Sequence, residues 1–256
     1  MTKLKEHKPS KMEALKAMTP ADRRRAIFDG IMNNAMFIII ALVIIYVAIK
    51  NPRFLSIPSL VNIISLTAAK LPIALGVGGC IILAGTDISA GRQVGLAACI
   101  SAGLQLTTNK LFPGLQIMPI PVVLLCVLVA CALVGFVNGF FMAKFKLHPF
   151  IVTLSTQLIV YGLVLLFMQL GTNGGQTLSG MSEGYRNFII KPLFTLKTSS
   201  GPVTVPRYVL YSTIITAIVW VIWNKTAFGK NMYAVGSNEE AANVSGVNVS
   251  KTIILV

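Results

Sequence analysis

The chain is predicted to be an all-α integral membrane protein, a multi-span helical bundle with about six spans and the start of a seventh. Two compositional facts and one pattern carry that prediction. Apolar residues make up 55% of the 256 residues and charged ones 12%, against about 25% charged in soluble domains. The mean hydropathy is +0.76. The apolar residues fall into long runs that are nearly free of charge. A run of about 20 residues crosses the hydrocarbon core as a helix.

A net charge of +14 in a soluble protein points to nucleic acid. Here the cations flank apolar runs without an aromatic and basic platform, so they orient the chain in the bilayer and nucleic acid is excluded as a partner. Cys80, Cys99, Cys126 and Cys131 lie inside apolar runs and lack Cys-x-x-Cys spacing. They read as small buried side chains, and no metal site is expected.

Residues 1–30 form a basic arm with eight basic and four acidic residues. It is solvated for most of its length, and 11–16 is able to form an amphipathic turn against the membrane. The bundle is expected over 31–223. Span 1 is Ile31–Ile49, uncharged and too long for a signal-peptide core. Span 2, about Leu60–Ala84, carries Lys70, Pro72, Gly76, Gly78 and Gly79. A break or kink is predicted at Lys70–Pro72, because proline removes a backbone bond and displaces its predecessor. Lys70 is either a pathway residue or a lysine reaching to the interface.

Asp87 follows, the one acid between Asp29 and Glu183, with Arg92 five residues on. Asp87 either caps the next helix or forms, with Arg92, a gate at the mouth of a pathway. Span 3 is about Ser89–Leu106, where Gly91 and Gly95 offer a surface for close helix approach. Span 4, about Val122–Ala143, repeats this with Gly135 and Gly139 around Asn138. Span 5, about Pro149–Leu170, holds Thr153, Thr156 and Gln157 as interhelical hydrogen-bonding groups. Residues 171–206 read as an outer loop with one short helix. Span 6 is about Tyr208–Trp223.

Six spans with the N-terminus inside put 14 basic residues on the inner side and 7 on the outer side, in line with the positive-inside rule. Residues 224–251 then form a cytoplasmic loop. Within it, Ser237 and Glu240 have capping-box spacing, Glu239 and Glu240 suit the positive end of a helix dipole, and Gly246 supplies a left-handed stop. A helix of about two turns, Asn238–Ser245, is predicted. It is too short to stand alone, so it is either a plain loop helix or a docking element. Residues 252–256 begin a further apolar segment, and the C-terminal part of the protein is expected to lie beyond them.

An enzyme is not expected, because His7 and His148 lack partners and carboxylates are not paired. No Gly-x-x-x-x-Gly-Lys-[Ser/Thr] run is present to cradle a nucleotide.

Two stretches resemble a known family. Gly-Thr-Asp-Ile-Ser-Ala-Gly at 85–91 resembles the Gly-x-Asp-Leu-Ser-x-Gly signature of sugar-importing ABC permeases, and 223–249 resembles their coupling loop. The resemblance runs from about residue 31 to the end. It implies a bacterial inner-membrane permease subunit with its N-terminus in the cytoplasm. The cargo expected is a monosaccharide, galactose or a methyl galactoside first, with ribose or a nucleoside as alternatives. A secondary sugar transporter is the other class. The implied partners are a cytoplasmic ABC ATPase that binds ATP and Mg, a periplasmic or lipid-anchored sugar-binding protein, a second permease copy, and membrane lipid. No cofactor is expected on this chain. Ser237, Asn238, Glu239, Glu240, Ala241, Ala242, Ser245 and Gly246 would couple to the ATPase. Asn62, Asp87, Arg92, Asn138 and Thr153 would line the path or gate, and Gly76, Gly91, Gly95, Gly135 and Gly139 would pack helices.

Overall fold

A computed structural model describes residues 19–256 apart from 109, 113, 171–173, 199 and 200. The amphipathic turn expected at 11–16 lies outside the described residues. The chain divides into two compact units, Met1–Leu60 and Val61–Val256.

The first unit holds α1 (Pro20–Asn33), α2 (Ala35–Lys50) and a 3-10 turn at Pro52–Leu55. Thr19 caps α1 by accepting from the Asp22 N–H, and Pro20 takes the first helical position, where no N–H is needed. The span expected at Ile31–Ile49 is not a single helix: α1 and α2 bend by 69° around Asn34. The Asn34 side chain donates to Gly30 O at 2.8 Å and competes with the backbone ladder there. No residue of α2 is buried, as an apolar helix facing lipid requires.

The second unit contains most of α3 (Ile57–Ile82), then α4 (Ala90–Gln105), α5 (Ile120–Phe145), α6 (Pro149–Met168), α7 (Glu183–Ile190), β1 (Pro192–Thr198), β2 (Gly201–Pro206) and α8 (Arg207–Lys225). Three short helices end it: α9 (Ala227–Ser237), α10 (Glu239–Val244) and α11 (Val249–Leu255). Among the described residues, α3, α5, α6 and α8 are long and apolar enough to cross a membrane, and the α1–α2 pair makes five if counted as one bent span. The expected third span is the 16-residue α4, about 24 Å long.

Of the break or kink predicted at Lys70–Pro72, the break is corrected. α3 runs from Ile57 to Ile82 with Pro72 inside it. Proline deletes one bond of the ladder, and a membrane helix tolerates that because neighbours and local adjustment satisfy the freed groups. Lys70 is exposed.

The core sits where α4 packs against α5 and α6, and where α11 packs against α5. Outward side chains of α5, such as Leu125, Leu128 and Leu133, stay exposed; in a bilayer, lipid tails are as apolar a neighbour as leucine. At the C-terminal end of α4, buried Gln105 donates to Met118 O at 2.6 Å, and its own carbonyl accepts from Ser182 N at 2.9 Å. This ties the α4–α5 connector to the segment before α7.

Candidate functional site

α3 ends in a Schellman motif. Ala84 is left-handed with φ of 56°, its N–H donates to Ile81 O, and the Gly85 N–H donates to Cys80 O at 3.0 Å. The chain is thereby turned into the 86–89 segment. Asp87 Oδ1 accepts from both Ser89 N–H (2.8 Å) and Ser89 Oγ (2.6 Å), which makes a local Asx turn at the start of α4. Gln93, one turn into α4, donates to Ser89 Oγ at 3.0 Å and reaches Asp87 Oδ2 at 3.5 Å.

Ser89 is fully buried and links this turn to the bundle. Its Oγ accepts from Asn138 Nδ2 on α5 at 3.1 Å, and Asn138 Oδ1 accepts from Thr156 Oγ on α6 at 2.6 Å. Thr153, also on α6 and buried, donates to Thr86 O at 3.3 Å and to Pro149 O at 2.9 Å. One connected polar patch thus joins the 86–89 turn to three helices. In an apolar surrounding such groups are costly unless paired, and here each finds a partner.

Three of the five residues expected along a path meet at this patch: Asp87, Asn138 and Thr153. Arg92 does not join them. Gln93 takes the position facing Asp87, and Arg92, about 100° round the helix, lies exposed over the Tyr161 ring at 4.2 Å. Asn62 is exposed on α3. Thr156, expected to bond a neighbouring helix, does so through Asn138; Ser89 and Gln93 belong to the patch and were not singled out from sequence. The Asp87-x-Ser89-x-x-x-Gln93 spacing is the signal that points to both.

The 224–251 segment is more helical than expected. Thr226 caps α9 by accepting from Gly229 N–H at 3.3 Å, and α9 runs through Ser237. The cap of the next helix is therefore Asn238, whose Oδ1 accepts from Ala241 N–H at 2.9 Å; the capping box from Ser237 to Glu240 is corrected by one residue. Glu239 and Glu240 fill the first turn. Gly246, at φ of 84°, lets the Val247 N–H reach Ala242 O at 3.0 Å, and the Ser245 hydroxyl donates to Ala241 O. α10 buries Ala242 and turns Glu239, Glu240, Ala241 and Asn243 outward, with Val244 90% exposed at its end.

Backbone contacts hold α9 and α11 on either side of α10. A Cβ at Gly236 would overlap the Ile82 carbonyl and sit 3.2 Å from Leu83 Cα, so α9 lies directly on the end of α3. A Cβ at Gly139 would come within 2.8 Å of Ile254 Cα, so α11 lies on α5. Of the five glycines expected to pack helices, only Gly139 has such a neighbour among the described residues; no other described segment comes within 4 Å of a Cβ at Gly76, Gly91, Gly95 or Gly135.

Helices long and apolar enough to cross a membrane, joined by a buried polar patch, define a helical membrane protein. The comparisons with known proteins agree. Residues 59–256 match the model of the branched-chain amino acid transport system / permease component family, and the chain belongs to that family. It is 39% identical over 232 residues to the galactose/methyl galactoside import permease of Haemophilus influenzae, covering 90% of this chain and 67% of that protein. The corresponding permease of Escherichia coli is 37% identical over 236 residues, covering 91% and 68%. The ribose import permease of H. influenzae is 30% identical over 226 residues, covering 88% and 64%. The chain thus spans about two thirds of the length of these relatives. No solved structure matches it.

Proposed function

We propose that the chain is the membrane-spanning permease subunit of an ATP-driven ABC importer that carries a monosaccharide, galactose or a methyl galactoside, into the cytoplasm by alternating access. The sugar assignment follows the relatives, since identity to the galactoside permeases exceeds that to the ribose permease. Counting α4, which packs on α5 and α6, the chain makes six crossings from a cytoplasmic N-terminus, and α11 opens a seventh.

The observation that carries the reading is α10. It is too short to hold itself, yet neighbours seat it on both sides and it points an acidic first turn and Val244 outward. That is a surface for a second protein, and a cytoplasmic ATPase that binds ATP and Mg is the partner. A soluble or lipid-anchored sugar-binding protein and a second copy of the permease complete the assembly.

The same geometry supplies a route for coupling. α9 rests on Ile82 and Leu83, five and four residues before Asp87, and α11 rests on Gly139, next to Asn138. Displacement of α10 as a rigid element therefore acts on both ends of the Asp87–Ser89–Asn138 patch. Rearranging those hydrogen bonds would switch the packing of α4, α5 and α6 between two states.

The test is co-purification in detergent with the partner ATPase, using the intact Glu239–Ser245 segment and a scrambled one. Binding only by the intact form supports the reading. Binding by neither form, together with uptake that continues without the ATPase, would replace it with a secondary transporter.

A further inference from the structure

The β1–β2 hairpin has no role in the mechanism above, and its position follows from its connections. β2 ends at Pro206 and α8 begins at Arg207, so no linker separates the hairpin from a helix able to cross the membrane. The Arg207 N–H donates to Lys191 O at 3.2 Å, the Tyr211 hydroxyl donates to Phe188 O at 3.1 Å, and the Phe188 and Tyr211 rings stack at 5.2 Å. α7 and the hairpin are thus fastened to the first two turns of α8.

The strand register sorts the hairpin into two faces. Phe194 pairs with Val205 and Leu196 with Val203 on one face; Thr195 pairs with Thr204 and Lys197 with Pro202 on the other. On the first face the β1 members stand open, Phe194 50% and Leu196 41% exposed, while Val205 is buried and Val203 half-buried. Between 183 and 207 there are four cations and one carboxylate. An apolar face, a cationic surround and tyrosines at a span end are the features of an element that rests in the headgroup layer of an anionic bilayer.

We propose that the hairpin is a membrane-surface anchor: the Phe194–Leu196 face lies in the headgroup region beside α8, and Lys191, at the junction with α8, engages anionic lipid. The direct junction with α8 favours lipid over a soluble partner, because no residues are available to lift that face off the bilayer. The anchor holds the depth of α8 and does not depend on which solute is carried.

The test places a tryptophan on either face, F194W and T195W, in full-length protein reconstituted into phosphatidylglycerol-containing vesicles. Emission of the parent, with Trp220 and Trp223, is subtracted. F194W is expected to be quenched by brominated lipid and to be about threefold less open to acrylamide than T195W. K191E is expected to lower the preference of the protein for brominated phosphatidylglycerol over brominated phosphatidylcholine by about fivefold, and an unchanged preference overturns the lipid contact. Equal accessibility at 194 and 195 overturns the proposal, whether both are shielded or both open. Shielding of F194W that appears only when a soluble sugar-binding protein is added overturns it as well and gives the face to that protein.

Discussion

Ser89 and Asn138, 49 residues apart in the chain, are joined by a buried hydrogen bond of 3.1 Å from Asn138 Nδ2 to Ser89 Oγ. It ties the Asp87 turn to α5 in a surrounding that is otherwise apolar. Both residues also bond to further partners, Ser89 to Asp87 and Gln93, and Asn138 to Thr156.

Because the patch is continuous, removing one member strands others. Ser89→Ala and Asn138→Ala are each expected to lower stability by about 1–3 kcal/mol, the usual result of leaving a buried polar group unpaired. The double variant should fall short of the sum by at least about 0.5 kcal/mol. Thermal unfolding in detergent measures this, and strict additivity would show that the two side chains are not coupled.

At Asp87 the carboxylate oxygen accepts from a backbone N–H and a hydroxyl, which an asparagine carbonyl also does. Asp87→Asn is expected to change stability by about 1 kcal/mol or less. Unchanged stability with lost sugar uptake in proteoliposomes would assign the negative charge to gating; unchanged uptake would leave it a structural cap.

For α10, the two neighbouring cap candidates separate cleanly. Asn238→Ala is expected to destabilise the segment by about 1 kcal/mol, and Ser237→Ala by less than about 0.5 kcal/mol. Hydrogen exchange of the 239–244 amides reads the difference, and the reverse order would restore the cap to Ser237.

Glu240→Lys leaves the Asn238 cap intact and reverses the charge in the first turn of α10. Membrane insertion is expected to be unchanged while transport and sugar-stimulated ATPase activity fall. Normal stimulation of the ATPase would count against docking through this turn.

Glycine positions divide by what lies over them. Gly236→Ala puts a methyl into the Ile82 carbonyl and is expected to cost about 1–3 kcal/mol or more. Gly95→Ala meets open space and should be neutral or stabilising by up to about 1 kcal/mol, as an alanine in a helix is. Comparison of the two unfolding temperatures decides it.

Much of the helical architecture is legible because membrane spans announce themselves through length and lack of charge. The expected spans at 60–84, 122–143, 149–170 and 208–223 each correspond to an observed helix with ends shifted by no more than three residues. The misreadings are local contests between two plausible signals. Ser237 and Asn238 are both good caps, and α9 extends through the first and leaves the second to do it. Asn34 bends a run whose hydropathy alone looks unbroken, because its side chain takes a backbone carbonyl.

By itself, the sequence determined that this is a helical membrane protein, that a polar turn around Asp87 leads into a helix, and that a short helix stands near 238–245. Those follow from hydropathy, charge and short-range hydrogen bonding, which act over a few residues. Only the tertiary structure decided that Ser89 meets Asn138, that Arg92 turns to Tyr161 and away from Asp87, and that Gly236 and Gly139, but not Gly91 or Gly95, press against the backbone of another helix. These contacts depend on how helices far apart in the chain are rotated against one another, and a difference of one residue turns a side chain by about 100°.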